Sequence, residues 1–142
     1  MGREFASAAA RWLHLPDMNI HPEIVAICRR NISDDNIRWF TDNIPTIRQA
    51  TADYRELLVN HNVEAVYISV PHNLHQEFYC AALEAGKHLM GEKPFGIDKK
   101  ANDAIMACVE KHPDCFVRCS SQFLFFPAVQ RIGRMIEADT FG

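Results

Sequence analysis

The stretch VEAVYISVPHNLHQEFYCAALEAGKHLMGEKPFG, running from Val63 to Gly96, combines two strand patterns with one helix pattern. The segment Val63–Val70 is rich in β-branched and aromatic residues, and a proline follows it, as expected for a strand that ends there. A helix is predicted from Leu74 to Ala85, with Gly86 at the position of a left-handed C-cap. A second apolar run begins at His88. A strand, a helix and a strand in this order predict a crossover unit with two parallel strands.

The same alternation of strand and helix patterns continues on both sides of this unit. Alternating elements of this kind predict an α/β fold with a mostly parallel sheet and helices on both of its faces. Further helices are predicted at Arg3–Leu15, Ser33–Phe40, Tyr54–Asn60 (capped by Asp53), from a cap at Asp98 to Lys111, and at Ala128–Ala138, and further strands at Glu23–Cys28, Pro45–Thr51 and Cys115–Ser120.

The bulk composition is typical of one soluble globular domain. The chain has 142 residues, of which 48% are hydrophobic and 23% charged, and its formal net charge is −3. Nucleic-acid and anionic membrane surfaces normally require a basic face on the protein, so neither partner is expected. The sequence has no apolar run of the roughly 18–20 residues that a membrane span needs, and no secretory signal pattern. We therefore expect a cytoplasmic protein.

The five cysteines are predicted to be reduced thiols. They contain no C-x-x-C pair, and four of them lie in apolar segments. Such residues behave as small core side chains in a reducing compartment, so neither a disulfide framework nor a zinc site is expected. The cysteines are Cys28, Cys80, Cys108, Cys115 and Cys119.

Polar residues follow both strands of the central unit. The segment Ser69–His75 follows the first strand, and Glu92–Pro94 follows the second. The carboxyl ends of neighbouring parallel strands meet at one edge of a sheet, and ligands of open α/β sheets bind outside that edge. The two polar segments are therefore predicted to lie side by side at a ligand site.

Lys93 is the candidate catalytic residue of this edge. The proline after it favours an extended backbone, which directs the ammonium group toward the ligand side, with Glu92 either pointing the opposite way or bracing it. A lysine in this position hydrogen-bonds a substrate hydroxyl or a ribose and stabilises developing alkoxide charge. An ordinary polar turn after a strand is the alternative, and these residues alone leave both interpretations open.

His72 and His75 form an H-x-x-H pair with Asn73 between them. A zinc site would need a third ligand, and the nearest candidates, Glu77 and Cys80, are not at a recognised zinc spacing, so metal binding is the minor interpretation. Asn73 or His75 at the start of the helix would instead face a ligand at the helix N-terminus. A plain helix cap with a solvated histidine is the alternative.

Two further positions matter only if the fold binds a dinucleotide. Arg29 and Arg30 follow the strand Glu23–Cys28, where an acid suits the ribose of NAD and an arginine accommodates the 2′-phosphate of NADP. No G-x-G-x-x-G motif is present, although Gly2 precedes the first helix, at the position of that motif's third glycine. Both arginines are equally compatible with an ordinary surface.

The central stretch resembles the Gfo/Idh/MocA family of NAD(P)-dependent oxidoreductases, which includes glucose–fructose oxidoreductase and inositol 2-dehydrogenase. The strings P-H-N-x-H, A-L-E-A-G-K-H and E-K-P occur between Pro71 and Pro94 in the order and spacing of the family. The segments Asp53–Leu58 (D-Y-x-E-L-L) and Phe125–Ile132 (F-F-P-A-V-Q-R-I) also look like family segments. The resemblance implies a Rossmann domain followed by a larger α/β domain whose open sheet covers the substrate.

The resemblance also implies roles for individual residues. Lys93 would lie beside the nicotinamide and the substrate, orient the substrate and transfer a proton. Arg29 stands where NAD-preferring members usually carry an aspartate, which tilts the expected cofactor toward NADP over NAD, although Asn31 would suit either. The implied substrate is a sugar, a polyol or a related alcohol or carbonyl compound, and the full-length protein would be a homo-oligomer. The implied cofactor contacts are Gly2, Arg29, Arg30, Ser69, Val70, Pro71, Asn73, His75, Glu92, Lys93 and Pro94.

The sequence departs from the family pattern at both ends. The family's first strand and first two glycines would lie before Met1. The sheet is therefore expected to lack the central strand between Glu23–Cys28 and Val63–Val70, which leaves two unpaired edges. The family's second domain, with its catalytic histidine and acid, would begin after Gly142. The QFLFF segment also lacks an arginine that family members often carry near Leu124.

We interpret the chain as an internal or truncated piece of an NAD(P)-dependent oxidoreductase that acts on CH–OH groups. Residues 1–124 are predicted to form a partial Rossmann domain, and residues 125–142 a linker helix leading into a C-terminal α/β domain. The alternative is a dinucleotide-binding or interaction module without catalytic activity.

Overall fold

The computed structural model describes residues 2–11, 16–17 and 19–142. The end of the predicted helix Arg3–Leu15 lies outside the described residues, and its described part is helical to Ala9. Short 3₁₀ helices cover His72–Leu74 and Gln122–Phe125. The helices are α1 (Gly2–Ala9), α2 (Asp34–Asn43), α3 (Tyr54–Leu58), α4 (His75–Glu84), α5 (Lys99–Lys111) and α6 (Pro127–Glu137), and the strands are β1 (Ala26–Cys28), β2 (Gln49–Thr51), β3 (Ala65–Ile68), β4 (His88–Glu92) and β5 (Val117–Ser120).

All strand pairings are parallel, as predicted, but they form two sheets instead of one. Strand β1 pairs with β2, while β4 lies between β3 and β5. In the described part of the chain, β1 has no neighbour other than β2, and β3 has none other than β4. The break falls between β1 and β3, where the sequence predicted a missing central strand, so both expected unpaired edges are present.

Helix α4 packs on one face of the three-stranded sheet, and α1 contacts the other face through Phe5. The alternation of strand residues directs Val66 toward α4 and the core, and Tyr67 to the opposite face. There Tyr67 stacks on Phe5 of α1, with ring centroids 4.0 Å apart. Helix α4 packs on β3, β4 and α5. The core lies at this contact and is formed by Leu58, Val63, Val66, Tyr79, Ala82, Leu83, Leu89, Ile105 and Cys108.

The predicted caps define the ends of three helices. The Asp53 carboxylate accepts a hydrogen bond from the Arg55 backbone N–H, and Asp98 accepts one of 2.7 Å from Ala101 N–H. Gly86 adopts a φ of 70°, the left-handed conformation expected after α4. The strands are shorter than their apolar runs predicted, because regular pairing with a neighbour ends before the apolar residues do.

All five cysteines are free thiols, as predicted. Cys108 is buried, and Cys80, Cys115 and Cys119 are partly buried. The prediction of a core side chain is wrong for Cys28, which is exposed. It is the last residue of β1 in a sheet of only two strands, so little of the fold covers it.

Helix α6 carries apolar side chains on its surface. Ile132 is 50% exposed and Ile136 is 64% exposed. The four aromatic and aliphatic residues 123–126 that precede the helix are exposed as well. None of the helices in the described ranges combines the length and the apolar character that crossing a membrane requires.

Candidate functional site

The ends of β3 and β4 lie side by side, as the sequence predicted. Ile68 pairs with Gly91 in the last register position that the two strands share, so the polar segments that follow them emerge at the same edge. A shallow cavity of about 140 Å³ opens there. It is lined by Ser69, Val70, His72, Glu92 and Lys93.

A larger depression lies away from this edge. Its volume is about 400 Å³, and none of the predicted site residues lines it. Size alone would favour it as a ligand site, but it lacks the convergence of strand ends that positions reactive groups in open α/β sheets. It is lined by Ile32, Ile37, Arg38, Thr41, Asp42 and Ala50.

The side chain of Lys93 is exposed to solvent. Its backbone N–H donates a hydrogen bond of 3.3 Å to Glu92 Oε2, and its peptide bond to Pro94 is cis. The ion pairs among the described residues do not include the Lys93 ammonium group. The ammonium group is therefore available to a ligand in the cavity.

Glu92 is buried and hydrogen-bonds the backbone of Lys93. Only 7% of Glu92 is exposed. Its Oε1 accepts a hydrogen bond of 2.6 Å from the Tyr67 hydroxyl, while its Oε2 accepts the Lys93 N–H. Burial and this carboxylate raise the pKa of Tyr67 far above 10.0, so its hydroxyl remains a donor. The geometry corresponds to the bracing alternative, and a direct contact of Glu92 with the cofactor stays a prediction.

His75 lies behind the cavity. It is 0% exposed, and it is the first residue of α4. Its Nδ1 lies 2.8 Å from the Pro94 carbonyl oxygen and its Nε2 lies 3.1 Å from the Val70 carbonyl oxygen. The H-x-x-H alternative finds no support here, because the described residues contain no group of three potential metal ligands. Cofactor contact by His75 stays a prediction.

Tyr79 is a site residue that the sequence analysis missed. It is 0% exposed, and its hydroxyl donates a hydrogen bond of 3.0 Å to the Glu92 backbone oxygen. Burial is the main cause that raises the pKa of Tyr79. The ring lies so close to Gly91 that a Cβ atom there would be 2.6 Å from it. A glycine inside a strand often marks such a close approach, and Gly91 was the available signal.

Asn73 is exposed on the 3₁₀ helix His72–Leu74. That helix has Pro71 at its N-cap, and α4 has Leu74 at its N-cap, with no side-chain cap hydrogen bond at either. The Asn73 side chain therefore caps neither helix, which contradicts the plain-cap alternative, while of the two histidines His72 is exposed and His75 is buried. Contacts of Asn73 and Pro71 with the cofactor stay predictions.

Arg29 and Arg30 are exposed directly after β1. The Arg29 backbone N–H donates a hydrogen bond of 2.9 Å to the Thr51 carbonyl oxygen, which ties this strand end to β2. Residual burial, then the carboxylates of Asp53 and Glu56, raise the pKa of Cys28 at the same strand end. Both positive and negative side chains therefore surround the position at which a cofactor ribose is predicted.

Gly2 begins α1, as its predicted position requires. An added Cβ atom at Gly2 would lie 3.6 Å from a ring carbon of Phe40, which is ordinary van der Waals contact. The described part of the fold therefore has space for a side chain at this position. A role of Gly2 in cofactor binding stays a prediction.

The sequence pattern of the Gfo/Idh/MocA family, an oxidoreductase family with an NAD-binding Rossmann fold, matches residues 2–118. The chain belongs to this family. The resemblance carried by P-H-N-x-H and E-K-P is thereby confirmed, together with the Rossmann-like α/β fold.

Three known proteins illustrate the similarity of this Gfo/Idh/MocA chain. A dTDP-3,4-didehydro-2,6-dideoxy-alpha-D-glucose 3-reductase from Actinomadura kijaniata is 29% identical over 130 residues, which are 90% of this chain and 38% of the reductase. The structure of a 3-ketoreductase from the same organism with NADP and TDP-benzene is 27% identical, with a TM-score of 0.73 over 92% of this chain and 38% of that chain.

The third is a scyllo-inositol dehydrogenase from Lactobacillus casei with bound NAD(H) and scyllo-inositol. It superposes with a TM-score of 0.82 over 100% of this chain and 40% of its own, at 19% identity, which supports the fold alone. This chain thus spans less than half of the length of these relatives.

Proposed function

We propose that this chain is the cofactor-binding part of an NAD(P)-dependent oxidoreductase that acts on a sugar, a polyol or a related alcohol or carbonyl compound. The observation that carries the proposal is the exposed Lys93 ammonium group at the ends of two parallel strands, on a backbone that buried Glu92 braces. Family membership supports the cofactor class, and the reductase that is named for a sugar nucleotide supports the substrate class.

The strand-end residues suit a dinucleotide. Four of the five residues that line the 140 Å³ cavity are polar, and the cavity lies at the ligand edge of a Rossmann-like sheet. Ser69, Val70, Pro71, Asn73 and Lys93 would hold the nicotinamide half of the cofactor, and Arg29 with Arg30 the adenosine half. The nicotinamide ring supplies hydride exchange with a substrate carbon.

Lys93 would hydrogen-bond the substrate oxygen and exchange a proton with it. Its ammonium group donates a hydrogen bond to the hydroxyl or carbonyl oxygen of the substrate and stabilises negative charge that develops there. In the oxidation direction the amine takes up the hydroxyl proton, and in the reduction direction the ammonium returns it. Glu92 keeps the lysine backbone in place through the Lys93 N–H.

We further propose that residues 1–124 form the cofactor domain and that residues 125–142 lead into a second α/β domain of a cytoplasmic homo-oligomer. The support is the exposed apolar surface of α6 together with the greater length of the relatives. Limited proteolysis of a longer product would test this division, since cleavage near residue 125 is expected to release a stable N-terminal piece.

The cofactor proposal is tested by titrating the purified chain with NADPH and NADH and following the nicotinamide fluorescence. We expect both to bind, with NADPH favoured because an arginine at this strand end accommodates a 2′-phosphate. Arg29→Ala should reduce this preference, while Arg131→Ala on α6 serves as the matched control. A folded sample that binds neither cofactor contradicts the proposal, and a clear preference for NADH contradicts the role of Arg29.

The role of Lys93 is tested with Lys93→Ala in a longer product that contains this chain. A panel of sugars and polyols is first screened for a substrate that this product turns over. We expect kcat to fall on the order of 10²–10⁴-fold, while NADPH affinity changes little, because the lysine acts on the substrate proton. Lys99→Ala, a change of an exposed lysine on α5, is the control. Unchanged turnover in Lys93→Ala would show that the lysine is structural.

A further inference from the structure

His75 occupies an unusual place for a histidine. It is fully buried, yet it contacts the polar segments that follow two different strands. Its Nε2 faces the Val70 carbonyl oxygen, at the end of β3, and its Nδ1 faces the Pro94 carbonyl oxygen, directly after Lys93. The imidazole ring therefore bridges the two strand ends that form the candidate site.

The partners of Nδ1 define where the ring carries a proton. The Tyr79 hydroxyl lies 3.1 Å from Nδ1 and donates its own proton to the Glu92 carbonyl oxygen, so it can only accept from the ring. The Pro94 carbonyl oxygen, at 2.8 Å, can also only accept. The Val70 carbonyl oxygen, 3.1 Å from Nε2, can only accept as well, but a neutral imidazole carries one N–H. The two acceptors at Nδ1, one of them at the shorter distance of 2.8 Å, place that N–H at Nδ1.

The surroundings of the ring restrict its movement. The Tyr79 ring stacks on His75 with centroids 4.8 Å apart and an interplanar angle of 24°, and the His72 ring contacts it edge-on at 5.3 Å. A buried ring that is stacked and hydrogen-bonded keeps one orientation, and it fixes the groups that it bonds.

We propose that His75 is the positioning residue of Lys93 and acts through the hydrogen bond from Nδ1–H to the Pro94 carbonyl oxygen. Glu92 holds the backbone N–H of Lys93 from one side, and His75 holds the carbonyl oxygen of the next residue from the other. The backbone is thus held at the peptide group before Lys93 and at the peptide group after Pro94, so the lysine side chain leaves the backbone in one direction. This inference rests on the role of Lys93 proposed above.

The first test needs neither cofactor nor substrate. The ¹⁵N chemical shifts of the imidazole nitrogens of His75 are measured by NMR in the wild-type chain. The proposal expects the shift of a protonated nitrogen at Nδ1, and a scalar coupling across the hydrogen bond to the Pro94 carbonyl carbon. A bare Nδ1 would overturn the proposal, whatever the chain binds.

The second test compares two conservative variants. In His75→Asn the amide N–H takes approximately the place of Nδ1–H, whereas in His75→Gln the amide reaches the place of Nε2. The rate at which acetic anhydride acylates Lys93 is measured by mass spectrometry with and without NADPH, because a bound cofactor should protect a correctly placed lysine. The other lysines serve as internal references.

We expect NADPH to protect Lys93 in the wild-type chain, in His75→Asn and in His61→Ala, an exposed histidine variant. Protection should fall on the order of tenfold in His75→Gln and His75→Ala, since small displacements of a reacting group have large effects. Equal protection of Lys93 in His75→Asn and His75→Gln overturns the proposal. The comparison of these two variants tests the proposal even if His75→Ala does not fold. If NADPH does not protect Lys93 in the wild-type chain, the proposed cofactor function is contradicted instead. The NMR measurement of the proton at His75 Nδ1 would then be the test of the His75 proposal.

Discussion

Glu92 shows how a single buried carboxylate can organise a site. Its two oxygens accept hydrogen bonds from Tyr67 on the neighbouring strand and from the Lys93 backbone. Charged hydrogen bonds of this kind are stronger than neutral ones, and a buried carboxylate that loses a donor is destabilised. The carboxylate therefore couples the position of Lys93 to the packing of β3.

Tyr67→Phe tests this coupling at the residue scale. We expect the free energy of unfolding in urea to fall by about 1–3 kcal/mol, because the buried Glu92 Oε1 loses its donor. Tyr54→Phe is the matched control, since the Tyr54 hydroxyl donates a hydrogen bond of 3.0 Å to Glu77 Oε1, whose side chain is 54% exposed. Water replaces the lost donor there, so the effect should be smaller. Equal losses in the two variants would contradict a special role of the buried pair.

Gly91 offers a second residue-scale test. A methyl group at this position would lie 2.6 Å from the Tyr79 ring, which is itself fully buried and unable to withdraw. Gly91→Ala should therefore lower the free energy of unfolding by about 1–3 kcal/mol. Gly133→Ala on α6 is the control, because nothing lies within 4 Å of its added Cβ atom. A helix gains up to about 1 kcal/mol from that change, so opposite signs are expected from the two substitutions in thermal or urea unfolding.

At the scale of elements, the contact of α4 with α5 contains a thiol with altered ionisation. The Cys108 thiol lies 3.9 Å from the Cys80 carbonyl oxygen across this contact. Burial, followed by the hydrogen bond and the charge of Cys108, raises the pKa of Cys80 above its ordinary value of 9.0. The unfolded chain therefore releases the Cys80 proton at a lower pH than the folded chain does.

The sign of the resulting pH dependence follows from linkage. The stabilisation is fully present below the pKa of the unfolded chain and is lost as the pH rises through that of the folded chain. Because the pKa of Cys80 rises from 9.0 to about 12 on folding, the difference in free energy of unfolding between the wild-type chain and Cys80→Ser should shrink as the pH rises from about 9 toward about 12. Urea unfolding at several pH values measures it. Parallel curves for the two proteins would show that Cys80 does not titrate differently in the two states.

At the scale of the whole molecule, apolar residues divide into a core and an exposed helix surface. Ile105 of α5 is 0% exposed, whereas Ile132 of α6 is 50% exposed. Ile105→Ala should lower the free energy of unfolding by about 2–5 kcal/mol through the lost contacts and the cavity. Ile132→Ala should change it by no more than about 0.5 kcal/mol. A comparable loss in both variants would indicate that α6 packs on the rest of the chain more extensively than its exposure suggests.

The sequence predicted the α/β fold and the position of the candidate site, because strand ends, caps and E-K-P are local patterns. Asp53, Asp98 and Gly86 define helix ends from their own chemistry, so they were predictable. The contacts of Tyr67 and Tyr79 were not, since they depend on which face of a strand or helix meets which neighbour. The break between the two sheets was expected from the resemblance to the family and not from any single apolar run.

The division into two sheets lowers the local stability of the β1–β2 pair. No strand ladder among the described residues joins the β1–β2 pair to the three-stranded sheet. Side-chain packing through α3 takes its place, since α3 contacts β1 and β2 and its Tyr54 ring lies 4.2 Å from the Phe78 ring of α4. A two-stranded ribbon is marginal on its own, so β1 and β2 should open far more often than β4. Amide hydrogen exchange would therefore be fastest in the ribbon that carries Arg29 and slowest at the centre of the other sheet. A ligand that contacts Arg29 and Lys93 together would cross-link two parts of the protein that otherwise open independently.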